Sequence, residues 1–121
     1  MKRYIFVTFQ REGLHCYPAA ATDPMLATGS WDDVSFLASV HRHVFHFKVQ
    51  ISVEHNDRDI EFIQLKRWCE RQYDTNVLSF NHKSCEMLAE ELGEKILATY
   101  PGRELTITVS EDNENGAVLV F

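Results

Sequence analysis

The chain has 121 residues, 12 basic and 18 acidic side chains, and a formal net charge of −6. This length and a hydrophobic share of 45% predict one domain over residues 1–121 with one hydrophobic core. The acidic balance, without a basic stripe, argues against a nucleic-acid partner, and no apolar run approaches the roughly 20 residues of a membrane span.

Two strands are predicted in the first part of the chain. A run of β-formers predicts a strand over 3–15, and strict alternation of side chains predicts a second over about 40–53. Between them, 16–34 contains Pro18 and Pro24 and is expected to form a long loop.

Two helices are predicted next. Apolar residues at helical spacing end near Tyr73, and Asp57 or Asp59 is the expected N-cap of this first helix. The second helix is expected to begin after Ser84 as N-cap and to end at the Tyr-Pro-Gly of 100–102.

Two further strands close the chain. Alternation over 105–109 predicts one strand, and an Asn-Gly turn at 115–116 leads into the last, over 117–121. The resulting order, ββααββ, predicts an α+β fold with a four-stranded antiparallel sheet and two helices on one face.

Three cysteines, Cys16, Cys69 and Cys85, are widely spaced and odd in number. This pattern argues against a disulfide framework and favours a reducing compartment. The N-terminal segment meets charged residues too early for a signal peptide. The expected localisation is therefore cytoplasmic.

Three histidines form a candidate metal site. His41 and His43 lie two residues apart on a strand, so their imidazoles leave the same face, about 6.5–7 Å apart. His15, at the end of the neighbouring strand, can supply a third nitrogen. Three neutral nitrogens with one open position are typical of a catalytic Zn²⁺ site. The alternative is that these histidines only fill space in a half-buried strand.

Several segments, in order, resemble the 6-pyruvoyl-tetrahydropterin synthase and 6-carboxytetrahydropterin synthase family, whose members have the tunnelling fold. The similar segments are GLHCY at 13–17, HRHVFHFKV at 41–49, EFIQLK at 61–66, KSCEMLAEELGEKI at 83–96 and TITVSED at 106–112. The resemblance implies Zn²⁺ on His15, His41 and His43. It also implies a barrel closed across the subunits of a homohexamer, which would cover the edge strands of the sheet.

The resemblance also implies two ligand-binding acids. Glu111 matches the glutamate that grips the amino-pyrimidinone edge of a pterin, a contact in which a carboxylate can accept two parallel N–H bonds. Glu86 matches a glutamate of the family's second helix. Without the family, Glu111 reads as a turn acid and Glu86 as an acid favoured in the first turn of a helix.

The proton-transfer groups of the family are incomplete here. No cysteine occurs in 34–40, before the histidine pair, and Thr75 stands where the family has a catalytic histidine. Asp74 is kept and is the candidate catalytic aspartate. Cys16, His82, Asp32 and Asp33 could replace the missing groups, and the sequence does not decide among them.

Two functions follow from these features. The first is a zinc-binding, pterin-synthase-like protein that acts on or binds a pterin-type ligand, with altered or lost synthase chemistry; at most it is a divergent lyase. The alternative is a non-catalytic binding protein for a purine-like nucleotide or another small ligand, because guanine shares the amino-pyrimidinone edge.

Overall fold

The computed structural model describes residues 1–121 and contains one mixed sheet. The strands are β1 (Tyr4–His15), β2 (His41–Ser52), β3 (Leu78–Asn81), β4 (Leu105–Glu111) and β5 (Asn115–Val120), in the spatial order β3-β1-β2-β4-β5. β3 runs parallel to β1, and all other neighbouring strands are antiparallel. Two helices, α1 (Phe62–Arg71) and α2 (Cys85–Thr99), complete the fold. The predicted α+β class is confirmed.

The core lies between one face of the sheet and the two helices. Odd-numbered residues of β1, β2 and β4 point inward, as the period of two in a strand requires. α1 packs against β1, and α2 packs against β4 and β5. The largest fully buried side chains include Phe45, Phe47, Leu65, Leu88 and Leu92. No helix has both the length and the apolar character needed to cross a membrane.

The prediction of four antiparallel strands is corrected by β3. This strand has only four residues, Leu-Ser-Phe-Asn, and only Phe80 among them is buried. So short a segment carries no readable alternation, and it becomes a strand because the free edge of β1 accepts it. The chain order is therefore ββαβαββ.

The helix starts differ in how well the sequence predicted them. Ser84 caps α2 as predicted, and its hydroxyl accepts a hydrogen bond from the Met87 N–H. Glu61, not Asp57 or Asp59, caps α1. Asp59 is engaged elsewhere. It accepts hydrogen bonds from the Arg103 guanidinium at 2.6 Å and from a backbone N–H, and these contacts lower its pKa.

The predicted loop over 16–34 is a long connection with little regular structure. It contains one short 3₁₀ helix, Pro18–Ala21, and a second, Ser35–Ala38, precedes β2. The Tyr17 N–H donates to the Leu37 carbonyl at 2.6 Å, which ties the two ends of the connection together beside the ends of β1 and β2.

Candidate metal centre and its pocket

The three histidines meet at one end of the ladder between β1 and β2. His15 is the last residue of β1 and pairs directly with His41, the first residue of β2, while His43 lies opposite Gly13. The ring centroids are 4.5 Å apart for His15 and His41, 5.0 Å for His41 and His43, and 5.4 Å for His15 and His43. The structure thus brings together the three predicted metal ligands.

Each imidazole is oriented by a hydrogen bond at its Nδ1. The Nδ1 of His15 lies 2.9 Å from the Lys83 carbonyl oxygen, and that of His41 lies 2.7 Å from the Ser39 carbonyl oxygen. Because a carbonyl only accepts, these two Nδ1 atoms carry the proton in the neutral rings. The Nε2 atoms then present lone pairs, as metal-binding histidines do.

Asp112 orients the third imidazole. Its Oδ2 lies 2.6 Å from the His43 Nδ1, and its Oδ1 accepts the Val44 N–H at 2.9 Å. The hydrogen bond to His43 is the main cause of the lowered pKa of Asp112, and the hydrogen bond from Val44 is the second cause. The carboxylate is therefore the ionised acceptor expected behind a metal-bound histidine.

The remaining ring nitrogens fit a metal ion. One nitrogen of each ring lies within 4.8 Å of the other two, and the Nε2 atoms of His15 and His43 are buried without a hydrogen bond. A buried polar atom without a partner is costly, and an ion is a common reason for one. Ligands at 2.0–2.1 Å from a tetrahedral ion lie roughly 3.3 Å apart, so modest closure of the rings would complete the set.

The histidines rest on aromatic side chains from the core. The Phe45 ring meets the rings of His15 and His43 edge-on, with centroids 5.1 Å and 5.9 Å away. Phe80 from β3 packs against Phe45 with centroids 4.9 Å apart. Gly13 makes room for this packing, because a Cβ there would lie 2.3 Å from the Phe80 ring. The unpredicted strand β3 thus packs, through Phe80 and Phe45, behind the histidine cluster.

A pocket of about 580 Å³ adjoins the histidines. The N-terminus of α2 and the end of β4 form part of its wall, and both predicted ligand-binding acids, Glu86 and Glu111, line it together with His15 and His41. Tyr17, Leu37 and Met87 contribute apolar surface. The pocket therefore combines carboxylates, imidazoles and apolar side chains.

Glu111 lies at the histidine cluster itself. Its Oε1 is 3.1 Å from the Nε2 of His15, and its Oε2 is 3.3 Å from the Nε2 of His43. These distances alone would suggest ion pairs, yet neither contact is aligned as a hydrogen bond, since both nitrogens remain without a partner. Two imidazole nitrogens and one carboxylate thus converge without a donor between them.

Asp74 does not join this group. It lines a separate cleft with Gln10, Arg11 and Thr75, and that cleft shares no residue with the histidine pocket. The structure therefore keeps the predicted catalytic aspartate apart from the predicted metal ligands within one chain.

The candidate replacements for the missing cysteine and histidine fall in different places. Cys16 and His82 line the histidine pocket, with the thiol sulfur 3.8 Å from the His82 Nδ1. Asp33 instead holds its own loop, where it accepts hydrogen bonds from Gly29 and Ser35, and Asp32 accepts one from Thr28. Cys85 is buried in the core beside this pocket, and its burial raises the pKa of the thiol to about 12.

Sequence reasoning missed the groups that orient the histidines. The carbonyls of Ser39 and Lys83 carry no side-chain signal, and β3, which precedes Lys83, was not predicted. Asp112 had one available signal: it follows Glu111 directly, at the end of a strand adjacent to the histidine strand.

No protein-family model matches the chain, and no curated protein is significantly similar to it. Function is therefore inferred from the site and from the sequence motifs.

Proposed function

We propose that this protein binds one Zn²⁺ per chain through His15, His41 and His43, and holds a pterin-type ligand in the adjoining pocket, with altered or lost synthase chemistry. The observation that carries the proposal is the orientation of the three rings. Each Nδ1 is engaged by an acceptor, and two of the Nε2 atoms are buried without a partner.

The donor set suits a first-row transition metal, and zinc is the one that the family resemblance implies. Imidazole nitrogens suit zinc, and a carboxylate behind one ring resembles the outer contacts that tune zinc sites. When bound, such an ion would polarise a ligand oxygen or lower the pKa of bound water. The chain's own groups orient the rings, and the core behind Phe45 keeps water from one side of the site.

The pocket supports a flat, polar heterocycle as the ligand. Its volume suits a small molecule, and its apolar residues can pack against a ring. Glu86 and Glu111 offer carboxylates that can accept two N–H bonds from an amino-pyrimidinone edge. Pterins carry this edge, in agreement with the family resemblance, and guanine nucleotides carry it too and form the competing ligand class.

Loss or alteration of the synthase chemistry follows from the missing proton-transfer groups. The positions that match the family's cysteine and histidine lack them, and Asp74 faces another cleft. General acid–base groups commonly contribute about 10²–10⁴-fold each, so little turnover of dihydroneopterin triphosphate is expected. Efficient turnover by the unmodified protein would contradict this part of the proposal.

Assembly belongs to the same proposal. β3 and β5 are the edges of the sheet, and pairing between subunits would satisfy their free backbone groups. We propose a homohexamer in which such pairing closes a barrel, as the resemblance implies. Three cysteines without disulfides support a reducing compartment, and we propose the cytoplasm.

The metal is tested by elemental analysis of the purified protein. We expect about one zinc per chain in the wild type and loss of zinc in His43→Ala, with the fold retained by circular dichroism. His46→Ala is the matched control, because His46 lies on the opposite face of the same strand. Equal zinc in His43→Ala and His46→Ala would contradict the metal site.

The ligand is tested by calorimetry with pterins and guanine nucleotides on the zinc-loaded protein. We expect a pterin to bind, and we expect Glu86→Gln to weaken binding, because an amide offers one acceptor where the carboxylate offers two. Tighter binding of guanine nucleotides would replace the pterin class with the purine class. Absence of binding by both would contradict the proposed pocket.

A further inference from the structure

We infer that Glu111 is the fourth ligand of the zinc ion, so that the resting metal centre has three imidazoles and one carboxylate rather than an open position. This inference rests on the proposed zinc site and adds a residue to it.

The carboxylate lies at tetrahedral ligand spacing from two of the three imidazole nitrogens. Ligands of one tetrahedral ion lie roughly 3.3 Å apart. The two oxygens of Glu111 lie 3.1 Å and 3.3 Å from the Nε2 atoms of His15 and His43. An ion held by both imidazoles would therefore lie within bonding distance of a Glu111 oxygen after little movement.

The hydrogen-bond accounting points to a cation as well. The Nδ1 of His15 faces a carbonyl and that of His43 faces a carboxylate, so in the neutral rings both Nε2 atoms are acceptors. Glu111 adds two more acceptor oxygens to the same place. Lys83, the one lysine that lines the pocket, is paired with Glu91 at 2.9 Å and does not fill this role. A divalent cation bound here would interact favourably with all of these acceptor atoms.

Side-chain exposure agrees with a ligand role. The His15 side chain is 9% exposed and that of Glu111 is 29% exposed, so the carboxylate lies at the boundary between the buried nitrogens and the pocket. From there it would cover the face of the ion that a ligand oxygen would otherwise reach. With the fourth position filled in the resting state, a ligand oxygen or water would reach the ion only by displacing Glu111, which agrees with altered or lost synthase chemistry.

Glu86 provides a matched comparison. It is a second glutamate of the same pocket, but it lies in the first turn of α2 and makes no hydrogen bond or ion pair with the histidines. If Glu111 binds the ion, Glu86 is the carboxylate that remains free to accept N–H bonds from a ligand.

The test uses the cobalt-substituted full-length protein and its visible absorption spectrum, with sodium azide as a probe of an open coordination position. We expect azide to leave the wild-type and Glu86→Ala spectra unchanged and to shift the spectra of Glu111→Ala and Glu111→Gln. Zinc affinity, measured by competition with a chelator, should fall by about tenfold or more in Glu111→Ala, at least as much as for loss of an outer-shell partner. It should be unchanged in Glu86→Ala.

The outcomes separate this inference from the proposed function. Failure of the wild type to take up cobalt or zinc would overturn the metal site and the inference together. Metal uptake with an azide response in the wild type equal to that of Glu111→Ala would overturn only the ligand role of Glu111. Equal zinc affinities of the Glu111→Ala and Glu86→Ala variants would do the same.

Discussion

Replacing Asp112 by Asn should weaken zinc binding without disturbing the backbone. Asp112 has a φ of 53°, in the left-handed region, and Asn adopts this conformation more readily than most residues. The two carboxylate oxygens serve two donors, the His43 Nδ1–H and the Val44 N–H. An amide has only one oxygen, so one of these donors must face an NH₂ group.

The cost falls mainly on the metal-bound state. Without metal, the His43 imidazole can adopt the other neutral tautomer and accept from the amide, whereas the metal-binding form must keep its proton on Nδ1. An unsatisfied donor costs at most about 1–3 kcal/mol, or about 5–150-fold in affinity, and water offsets part of this cost because Asp112 is half-exposed. Loss of an outer-shell partner typically costs 10–100-fold in metal affinity, which lies within that limit.

The assay is a competition for zinc between the protein and a chromophoric chelator. Glu114→Gln is the control, because it removes one negative charge from the same turn, and Glu114 has no contact with His43. We expect Asp112→Asn to bind zinc about 10–100-fold more weakly and Glu114→Gln to bind it like the wild type. If the two variants lose affinity equally, net charge and not the hydrogen bond to His43 would explain the effect, and the reasoning would be refuted.

Three further predictions address stability and assembly. Gly13→Ala should lower the free energy of unfolding by about 1–3 kcal/mol, because Phe80 is buried and cannot move aside. Gly93→Ala places a Cβ against the Phe121 ring, which is terminal and partly exposed, so this change should leave the free energy of unfolding unchanged or raise it by up to about 1 kcal/mol. Denaturant titrations that give equal free energies of unfolding for the Gly13→Ala and Gly93→Ala variants would contradict this. The pKa of Asp59 is lower in the folded state than its value near 3.9 in the unfolded chain, so the ionised carboxylate stabilises the fold above about pH 4. The difference in free energy of unfolding between the wild type and Asp59→Asn should therefore shrink as the pH falls below about 4. A difference that does not change with pH would refute this prediction. Light scattering should show a hexamer, and a monomer at micromolar concentration would contradict the proposed barrel.

The sequence predicted the histidine cluster because side-chain alternation fixes which face of a strand each residue occupies. Once β1 and β2 are recognised as neighbours, the end of one and the start of the other must coincide, and His15 pairs with His41. The same alternation identified most of the sheet core. These features depend on periodicity over long segments, which survives the details of tertiary packing.

Features that depend on short segments or on tertiary contacts were not predicted. β3 exists because the edge of β1 is available, and its four residues have no period of their own. Glu61 and not Asp59 caps α1, and Asp59 instead pairs with Arg103, which is distant in sequence. Asp74 was selected by its match to a motif, and a motif does not reveal which cleft a side chain faces.

The antiparallel pairing of His15 with His41 has a consequence for how the protein could diversify. The connection between β1 and β2 leaves and re-enters the sheet at these two ligands, and its ends are tied by the hydrogen bond between Tyr17 and Leu37. Residues at those ends, and not the ligand-bearing strands, supply part of the pocket's apolar wall. Substitutions at the two ends of this connection would therefore alter the pocket wall, while β1 and β2 keep the three histidines in place. The histidine cluster and part of the pocket wall are thus carried by different segments of the chain, an arrangement suited to library-based redesign of the proposed ligand site.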